Sequence, residues 1–508
     1  MNHATSPIFS QRRSGVLLHI TSLPGPHGSG DLGEAAYHFV DWLVSAGQTL
    51  WQILPLSPVG QGHSPYNSPS TSAGNPLLID LDDLVRRGWL TPGTEHRFEA
   101  GRCDFDRIGP YRMARLRDAW RGFTERALPA EQAELAQFRI EQADWLEGYA
   151  LFMALELRHG KPWTQWPRSL ACAQPQALAE AGSHMLDDLG FFSFTQWRFM
   201  MQWQSLKAYA HERHVLIAGD APIFVAHHSA DVWLNAPLFR LDAEGEPTVV
   251  AGVPPDYFSP TGQRWGNPLY RWEAMAEDDY DWWRGRLRRL LKLVDVVRLD
   301  HFRGFETYWE IPATEPTAMA GHWRAGPGTV LFESLARSAG VYTTLPVIAE
   351  DLGLITHEVT ALREACGFPG MRVMQFAFDD TSANPYLPHN YERQTVAYTG
   401  THDNDTTVGW WNSAQTFQRQ AARAYLGPLA DTEIHWAMIQ SLSQSVANTV
   451  VVPFQDVLGL DGGHRMNTPG MAQDCWEWRF NWSQVMNEPA RRLAEMTRAH
   501  GRNLPTHR

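Results

Sequence analysis

The stretch that decides the fold reads Val294-Asp-Val-Val-Arg-Leu-Asp-His-Phe-Arg-Gly-Phe305. Its β-branched residues predict a strand, and side chains alternate between the two faces of a strand, so Arg298 and Asp300 share one face. A guanidinium beside a carboxylate favours the charged form of the acid. We therefore expect Arg298 to lower the pKa of Asp300 and to keep this carboxylate ionised, available as a nucleophile or as a stabilising charge. The alternative is a structural ion pair at the end of a strand.

Two other predicted strands also end in carboxylates. Pro346–Ala349 is followed by Glu350, and Thr395–Tyr398 leads into a polar segment that contains Asp403. A (β/α)8 TIM barrel brings the carboxyl ends of its parallel strands to one face, where its functional sites lie. The sequence therefore predicts an α/β fold, a TIM barrel with the three acids at its top face. The other five barrel strands are predicted at Gly15–Ile20, Leu50–Leu54, His214–Ala218, Met371–Phe376 and Val446–Pro453.

Four further segments resemble those of a known family. They are Ser64–Asn75 (SPYNSPSTSAGN), Gly219–Val225 (GDAPIFV), Gly252–Pro268 (GVPPDYFSPTGQRWGNP) and Asn467–Gly470 (NTPG). With these segments, the contexts of Asp300, Glu350 and Asp403 resemble the α-amylase clan, and within it the amylomaltases, also called 4-α-glucanotransferases or disproportionating enzymes. The resemblance extends from the first predicted strand to near residue 470, which is nearly the whole chain.

The resemblance implies an enzyme that transfers a segment of an α-1,4-glucan to the 4-hydroxyl of another glucan or of glucose, in maltodextrin, glycogen or starch metabolism. It implies a retaining double displacement through an oxocarbenium-like transition state. Asp300 would be the nucleophile, Glu350 the acid and base, and Asp403 the residue that holds ring hydroxyls and favours the distorted sugar. Nearby carboxylates and partial burial should raise the pKa of Glu350. No cofactor is implied.

The resemblance also implies a set of substrate-binding residues along the groove. They are Ser64, Tyr66, Asp220, Trp265, Arg298, His301, Asp379, His402, Asn467 and Pro469. Tyr66 would stack on a sugar ring, Asp220 would support the site, and Trp265 would lie against the glucan. The alternatives are loop packing for Tyr66, a helix cap or loop carboxylate for Asp220, and anchoring of its own loop for Trp265.

The other assignments have alternatives too. Asp379 could be a solvated loop acid. His301 and His402 each adjoin a catalytic acid and could bind the same ring, or could only support the residues that do. The aromatic segment with Tyr257, Phe258 and Trp265 favours transfer over hydrolysis, because an aromatic cover would hold an acceptor sugar and exclude water.

Chain length and periodicity predict how the barrel is elaborated. The chain has 508 residues, more than the roughly 250 of a bare barrel. We expect one catalytic barrel over 1–508, interrupted by a mostly helical subdomain at 86–210 and by a loop subdomain at 229–281 over the active site. The segment 249–272 shows no strand or helix period and is predicted to be a long ordered loop. Little chain follows 465–470, so we expect no C-terminal β-domain of the kind that many α-amylases carry.

Local signals inside these regions are also interpretable. The helical pattern from about 112 to 209 carries an aromatic stripe that is typical of a buried helix face. This stripe is predicted to be core rather than a sugar platform, and its members are Met113, Leu116, Trp120, Phe123, Trp145, Tyr149, Phe152, Met153 and Leu157. Asp31 with Glu34 predicts a capping-box start of a helix, and Thr356 predicts the N-cap of another.

Composition excludes several classes of partner. The formal net charge is −13, from 43 Lys and Arg against 56 Asp and Glu. This balance argues against nucleic acid and anionic membranes and suits a neutral substrate such as a maltooligosaccharide or a longer α-1,4-glucan. No apolar run is long enough for a signal peptide or a membrane span. No protein partner is implied.

Cysteine and histidine spacing predicts no metal site. The four cysteines, Cys103, Cys172, Cys366 and Cys475, form no Cys-x-x-Cys pair and are expected to be reduced thiols in the cytoplasm. His227 and His228 are adjacent but lack acidic or cysteine partners at ligand spacing.

Two competing functions remain open on the sequence alone. An α-glucan hydrolase needs the same three acids and differs only in accepting water. A glucan-binding protein without activity is a different class, and the presence of Arg298 with all three acids argues against it.

Overall fold

A computed structural model describes residues 6–93, 98–255, 259–340, 344–379, 381–428, 430–471 and 473–503. The strands within these ranges are β1 (Arg13–Leu17), β2 (Leu50–Gln52), β3 (Leu216–Pro222), β4 (Val249–Val253), β5 (Gln263–Pro268), β6 (Val296–Asp300), β7 (Thr307–Pro312), β8 (His322–Ala325), β9 (Val347–Ala349), β10 (Gly370–Val373), β11 (Thr395–Tyr398) and β12 (Thr449–Pro453).

The helices lie between these strands and at both ends of the described chain. The α-helices are α1 (Pro7–Ser10), α2 (Glu34–Ser45), α3 (Leu81–Arg86), α4 (Phe105–Arg126), α5 (Pro129–Glu141), α6 (Leu146–His159), α7 (Arg168–Ala171), α8 (Pro175–His184), α9 (Leu186–Glu212), α10 (Ala230–Leu234), α11 (Trp272–Glu277), α12 (Asp281–Leu293), α13 (Gly328–Ser338), α14 (His357–Ala365), α15 (Thr407–Ser413), α16 (Thr416–Leu426), α17 (Ile434–Gln444), α18 (Phe454–Val457) and α19 (Asn487–Ala499). Short 3-10 turns lie at Ile20–Ser22, Gln61–His63, Pro76–Leu78, Trp163–Gln165, Ala236–Leu238, Phe302–Phe305, Ala318–Ala320, Met374–Phe376, Pro388–Asn390, Asp431–Glu433, Gly462–His464 and Trp482–Gln484.

Eight of the described strands form a closed parallel barrel in the order β1-β12-β11-β10-β9-β6-β3-β2. The predicted TIM barrel and its eight strands are confirmed, with boundaries shifted by a few residues. The strand predicted at Met371–Phe376, for example, is β10, which ends at Val373 and continues as a 3-10 turn. Val297 and Leu299 pack with the surrounding helices, whereas Val296 and Ile348 belong to the core inside the barrel. The alternation along β6 therefore directs Arg298 inward, because it lies between Val296 and Asp300.

A second sheet was not predicted. β4, β5, β7 and β8 form a four-stranded antiparallel sheet in the order β5-β4-β7-β8. The expectation of a loop without strands over 249–272 is therefore wrong. The alternation of apolar and polar residues that marks a strand is interrupted at Gly252. Only glycine fits there, because a Cβ at this position would lie 2.2 Å from the carbonyl oxygen of Gln263 on the neighbouring strand. Trp265 lies on β5, while Tyr257 and Phe258 are outside the described residues.

The helices α3 to α9 lie between β2 and β3, where the helical insertion was predicted. Leu116, Phe123, Tyr149 and Phe152 are buried, as expected for a core stripe. Met113, Trp120, Trp145 and Met153 are partly buried and pack against the same core. Leu157 departs from the prediction, since 64 % of it is exposed. No helix in the described part of the chain is both long enough and apolar enough to cross a membrane.

Arg112 attaches this insertion to the barrel. It is fully buried on α4 and donates to the Oδ2 of Asp31 at 2.8 Å. It also donates to three backbone carbonyls, those of His27, Ser29 and Ile79. Asp31 therefore does not cap α2, which begins at Glu34 with Gly33 at its N-cap, so the predicted capping box is wrong. The predicted cap at Thr356 is confirmed, since its side chain accepts from the Val359 amide.

Replacing Arg112 should destabilise the protein strongly. Arg112→Ala leaves Oδ2 of the buried Asp31 carboxylate and three carbonyls without the donor that Arg112 supplies, so we expect a loss of about 3–5 kcal/mol in the free energy of unfolding. Arg121→Ala removes a side chain on the same helix that is 72 % exposed and pairs with Asp118 at the surface, and it should change the free energy of unfolding by less than about 1 kcal/mol. Urea unfolding followed by circular dichroism measures both, and equal midpoints would contradict the anchoring role.

Candidate active site

A groove of about 2290 Å³ opens where the barrel strands end. It is lined by nearly all the residues predicted for the site. These are Ser64, Tyr66, Trp265, Arg298, Asp300, His301, Glu350, Asp379, His402, Asp403, Asn467 and Pro469. Asp220 is the exception, because its buried side chain lies behind the groove wall. The structure thus brings the three acids together, as the strand ends predicted.

Arg298 lies between two carboxylates at the base of the groove. The register of β3 and β6 places it directly beside Asp220. Its Nη1 donates to Oδ2 of Asp220 at 2.7 Å, and its Nη2 lies 3.0 Å from Oδ1 of Asp300. Tyr66 donates its hydroxyl proton to the same Oδ2 of Asp220 at 2.8 Å. The two carboxylates therefore share one buried cation, and Asp300 alone of the two reaches the groove.

Glu350 is held by two backbone amides. The N–H of His301 donates to its Oε2 at 2.7 Å, and the N–H of Leu352 donates to its Oε1 at 2.9 Å. His301 takes up this position with a φ of 51°, in the left-handed region that a side chain with a Cβ seldom adopts. The loop that begins directly after Asp300 therefore supplies a donor to the second acid.

Asp403 is oriented by its neighbours across the groove. Asn467 donates through Nδ2 to Oδ1 of Asp403 at 2.7 Å, and His402 Nε2 lies 3.3 Å from Oδ2. His402 Nε2 is also 2.9 Å from the hydroxyl of Tyr66. Because that hydroxyl already donates its proton to Asp220, the bond to His402 takes its proton from Nε2. The network thus determines which nitrogen of His402 carries the proton.

Burial governs the acidity of the two central carboxyls. Burial raises the pKa of Asp300 to about 6. The charge of Arg298 lowers this pKa, and the charges of Asp220 and Asp403 raise it. The predicted lowering is therefore wrong: one shared guanidinium does not offset burial beside two other acids. Burial raises the pKa of Glu350 to about 7; Arg298 lowers it and Asp300 raises it. The predicted direction for Glu350 is confirmed.

Aromatic rings border the acids. Trp265 is 39 % exposed, and its ring meets His301 edge-on with the centroids 4.8 Å apart. Burial lowers the pKa of His301 to about 3, so its ring is neutral near pH 7. Trp476 contacts Tyr66 and His402 with ring centroids 5.6 and 6.0 Å away. Sequence reasoning missed Trp476, because a tryptophan in a turn with a φ of 68° carries no local pattern.

The remaining predicted residues lie on the groove rim. Ser64 accepts from the backbone amide of Tyr66 at 3.2 Å. Asp379 is exposed and accepts from the amide of Thr381 and from Asn384 Nδ2. Pro469 is exposed in the loop that follows Asn467. Other lining residues that were not predicted are Gln375, Phe376, Tyr386, Trp410 and Phe417.

His227 and His228 line the groove beside the helical insertion. His227 Nε2 binds the carbonyl of Gly245 at 2.7 Å, and His228 Nε2 lies 2.9 Å from Oε1 of Glu156. Each histidine thus joins the β3 loop to another segment. Over the ranges that the structure describes, no group of three or more His, Cys, Asp or Glu side chains could hold a metal ion.

Comparison with known proteins identifies the family. The family model of 4-alpha-glucanotransferases matches residues 18–485. The chain is 49 % identical to a 4-alpha-glucanotransferase of Thermus thermophilus, over 96 % of this chain and 98 % of that protein. It is 46 % identical to one of Synechocystis sp., over 98 % and 99 % of the two chains.

A solved structure agrees with this result. The amylomaltase from Streptococcus agalactiae, determined in complex with acarbose, superposes with a TM-score of 0.93 at 37 % identity. The superposition covers 97 % of this chain and 100 % of that one. With a family model that spans most of the sequence and relatives that match over nearly their full length, the chain belongs to the 4-alpha-glucanotransferase family.

Proposed function

We propose that this protein transfers a segment of an α-1,4-glucan to the 4-hydroxyl of another glucan or of glucose, with retention of configuration, through Asp300, Glu350 and Asp403. The observation that carries the proposal is the convergence of these three carboxylates in one groove, two of them with raised pKa values. Carboxylates in such an arrangement perform glycosidic-bond chemistry.

In the first displacement, Asp300 attacks the anomeric carbon of the donor. The bond from this carbon to the glycosidic oxygen breaks, and that oxygen takes the proton of Glu350. The donor segment remains as an ester on Asp300, and the shortened glucan leaves. The surroundings suit this division, because Arg298 lies 3.0 Å from Asp300 and favours its ionised form, whereas burial and the charge of Asp300 raise the pKa of Glu350 and favour its protonated form.

In the second displacement, ionised Glu350 takes the proton of the acceptor's 4-hydroxyl. The acceptor oxygen attacks the same anomeric carbon from the face that the first leaving group occupied, and the ester bond to Asp300 breaks. Glu350 is protonated again and the cycle closes. The amides of His301 and Leu352 keep this carboxyl group in one orientation through both steps.

The other polar residues would bind the sugar at the reacting position. Asn467 occupies one oxygen of Asp403, which leaves the second, Oδ2, for ring hydroxyls. His402 Nε2 lies 3.3 Å from that oxygen and 2.9 Å from the hydroxyl of Tyr66, and we assign both residues to the same ring. Asp220 acts from behind by holding Tyr66 and Arg298.

The size of the groove supports an oligosaccharide as the substrate. Pockets for small ligands usually measure roughly 300–1,000 Å³, whereas this groove measures about 2290 Å³. Its lining includes Glu156 of the helical insertion, His227 and His228, as well as Phe376 and Trp410. Maltooligosaccharides or longer glucans would therefore contact the protein well beyond the cleaved bond.

The cytoplasm is the proposed compartment, because the cysteines Cys103, Cys172, Cys366 and Cys475 are all unpaired.

Asp300→Asn should abolish turnover while the protein still folds. The amide keeps the shape of the side chain but cannot form the ester, so we expect the rate to fall on the order of 10³-fold or more. Asp187→Asn removes a carboxylate that is 80 % exposed on the helical insertion and should leave the rate unchanged. Initial rates on maltotriose test both variants, and near-normal activity in Asp300→Asn would exclude the assigned nucleophile.

The pH dependence of the rate should be a narrow bell. Below pH 6 Asp300 gains a proton and loses nucleophilicity, and above pH 7 Glu350 loses the proton that it must donate. Because Asp300 and Glu350 interact, the acid and basic limbs of the profile report the apparent pKa values of the pair. In Glu350→Gln, a donor with a good leaving group should still form the ester, and the basic limb should disappear. A persistent basic limb would show that another group is the acid.

Transfer should exceed hydrolysis with maltotriose as the only substrate. Water is present at about 55 M, so transfer requires a positioned acceptor and a sheltered intermediate. We expect glucose and a ladder of longer maltodextrins, with few new reducing ends. Trp265→Ala should raise the ratio of hydrolysis to transfer, whereas Met319→Ala, at an exposed side chain next to the second sheet, should not. Reducing ends that accumulate as fast as glucose, with no product longer than maltotriose, would identify a hydrolase.

A further inference from the structure

Arg303 follows Asp300 by three residues, is buried, and is linked to Glu306 through the hydroxyl of Thr307 rather than by a direct ion pair. Only 7 % of it is exposed, and within the described ranges no carboxylate oxygen lies within 4.0 Å of its guanidinium. Burial lowers the pKa of Arg303, with Glu306 opposing. A buried cation of this kind lowers stability unless other contacts compensate for its lost hydration.

Three contacts replace the missing carboxylate. The guanidinium carbon of Arg303 lies 4.0 Å from the centre of the Trp323 ring. Nη1 donates to the carbonyl of Leu354, and Nη2 donates to Oγ1 of Thr307 at 3.3 Å. A planar guanidinium can stack on a ring and donate along its edges at the same time. Lysine has no such plane.

The partners of Arg303 belong to the segments whose relative positions determine the geometry of the site. Leu354 lies in the loop between β9 and α14, two residues after Leu352, whose amide binds Glu350. Thr307 begins β7, and Trp323 lies on β8. These two strands belong to the second sheet, whose other edge strand, β5, carries Trp265. One side chain therefore joins the loop of Asp300 to the loop of Glu350 and to the sheet that carries Trp265.

We propose that Arg303 is a positioning residue for the transfer reaction: it holds the loop of Glu350 and the second sheet against the loop of Asp300, so that the Leu352 amide stays on Glu350 and Trp265 stays over His301. The proposal rests on the proposed function. It differs from a purely structural role because loosening the Leu352 amide changes the acidity of Glu350.

The sign of that change follows from the groups that face Glu350. The charged neighbours are Arg298 and Asp300, the amides of His301 and Leu352 bind its oxygens, and the phenol of Tyr386 lies close enough to interact. The amides stabilise the ionised form, so the loss of one raises the pKa of Glu350. The basic limb of the rate profile then moves to higher pH, while the acid limb, set by Asp300, moves little.

Arg303→Lys, Arg303→Ala and Trp323→Leu test the proposal, with Arg324→Ala as the matched control. Arg324 is an exposed arginine on β8 that pairs with Glu310. For Arg303→Lys we expect kcat on maltotriose to fall about 10- to 100-fold, with KM nearly unchanged and the basic limb at higher pH. Hydrolysis should gain relative to transfer. Trp323→Leu should act in the same direction. The variant that carries both Arg303→Lys and Trp323→Leu should differ little from Arg303→Lys, because the two changes remove the same stacking contact. Arg324→Ala should leave kcat and both limbs unchanged.

The position of the basic limb decides the outcome. An upward shift in folded Arg303→Lys supports the proposal, and an unshifted limb overturns it whatever happens to kcat. If Arg303→Ala does not fold, Arg303→Lys and Trp323→Leu still give the result, with circular dichroism as the folding check. Absence of transfer by the wild-type protein would instead contradict the proposed function, so the two failures are distinguishable.

Discussion

The buried guanidinium of Arg298 is the interaction on which the site depends. It lies between Asp220 and Asp300 with contacts of 2.7 and 3.0 Å, and almost none of its side chain is exposed. A buried cation needs a charged partner, and removing one member of such a group leaves an uncompensated charge. The barrel register satisfies this requirement, because β3 and β6 place Asp220 beside Arg298. Tyr66 then binds the same Asp220 oxygen. The barrel interior thereby supports the groove above it.

This arrangement gives two similar carboxyl groups different surroundings, which suit the two roles that we propose for them. Burial raises the pKa of both, but Asp300 contacts the shared cation directly, whereas Glu350 is held by backbone amides. The shared cation therefore favours the ionised form of Asp300, while burial and the charge of Asp300 favour the protonated form of Glu350. A nucleophile and a proton donor can then coexist in one groove, which glycosidic-bond chemistry with retention requires.

The additions to the barrel act on the same groove from two sides. The helical insertion reaches it through Glu156, which pairs with His228, and is attached to the barrel through Arg112. The antiparallel sheet reaches it through Trp265 and contacts the loop of Asp300 through Arg303. Both attachments use buried or half-buried polar contacts with specific geometry, which set the position of a segment more narrowly than apolar packing does. A long groove can therefore keep a defined shape beyond the reacting bond.

The sequence by itself determined the features that depend on neighbouring residues. Alternation along β6 predicted the shared face of Arg298 and Asp300, three acidic strand ends predicted where the acids meet, and Thr356 predicted a helix cap. Tertiary structure alone decided the rest. Asp31 binds Arg112 instead of capping a helix, β4 and β5 pair in a sheet with β7, and Trp476 reaches Tyr66. The pKa of Asp300 is raised, although the sequence predicted that it would be lowered, and the cause is again tertiary structure. Its burial and its neighbours Asp220 and Asp403 come from strands far apart in the chain, and an electrostatic balance of this kind exists only once those strands are assembled.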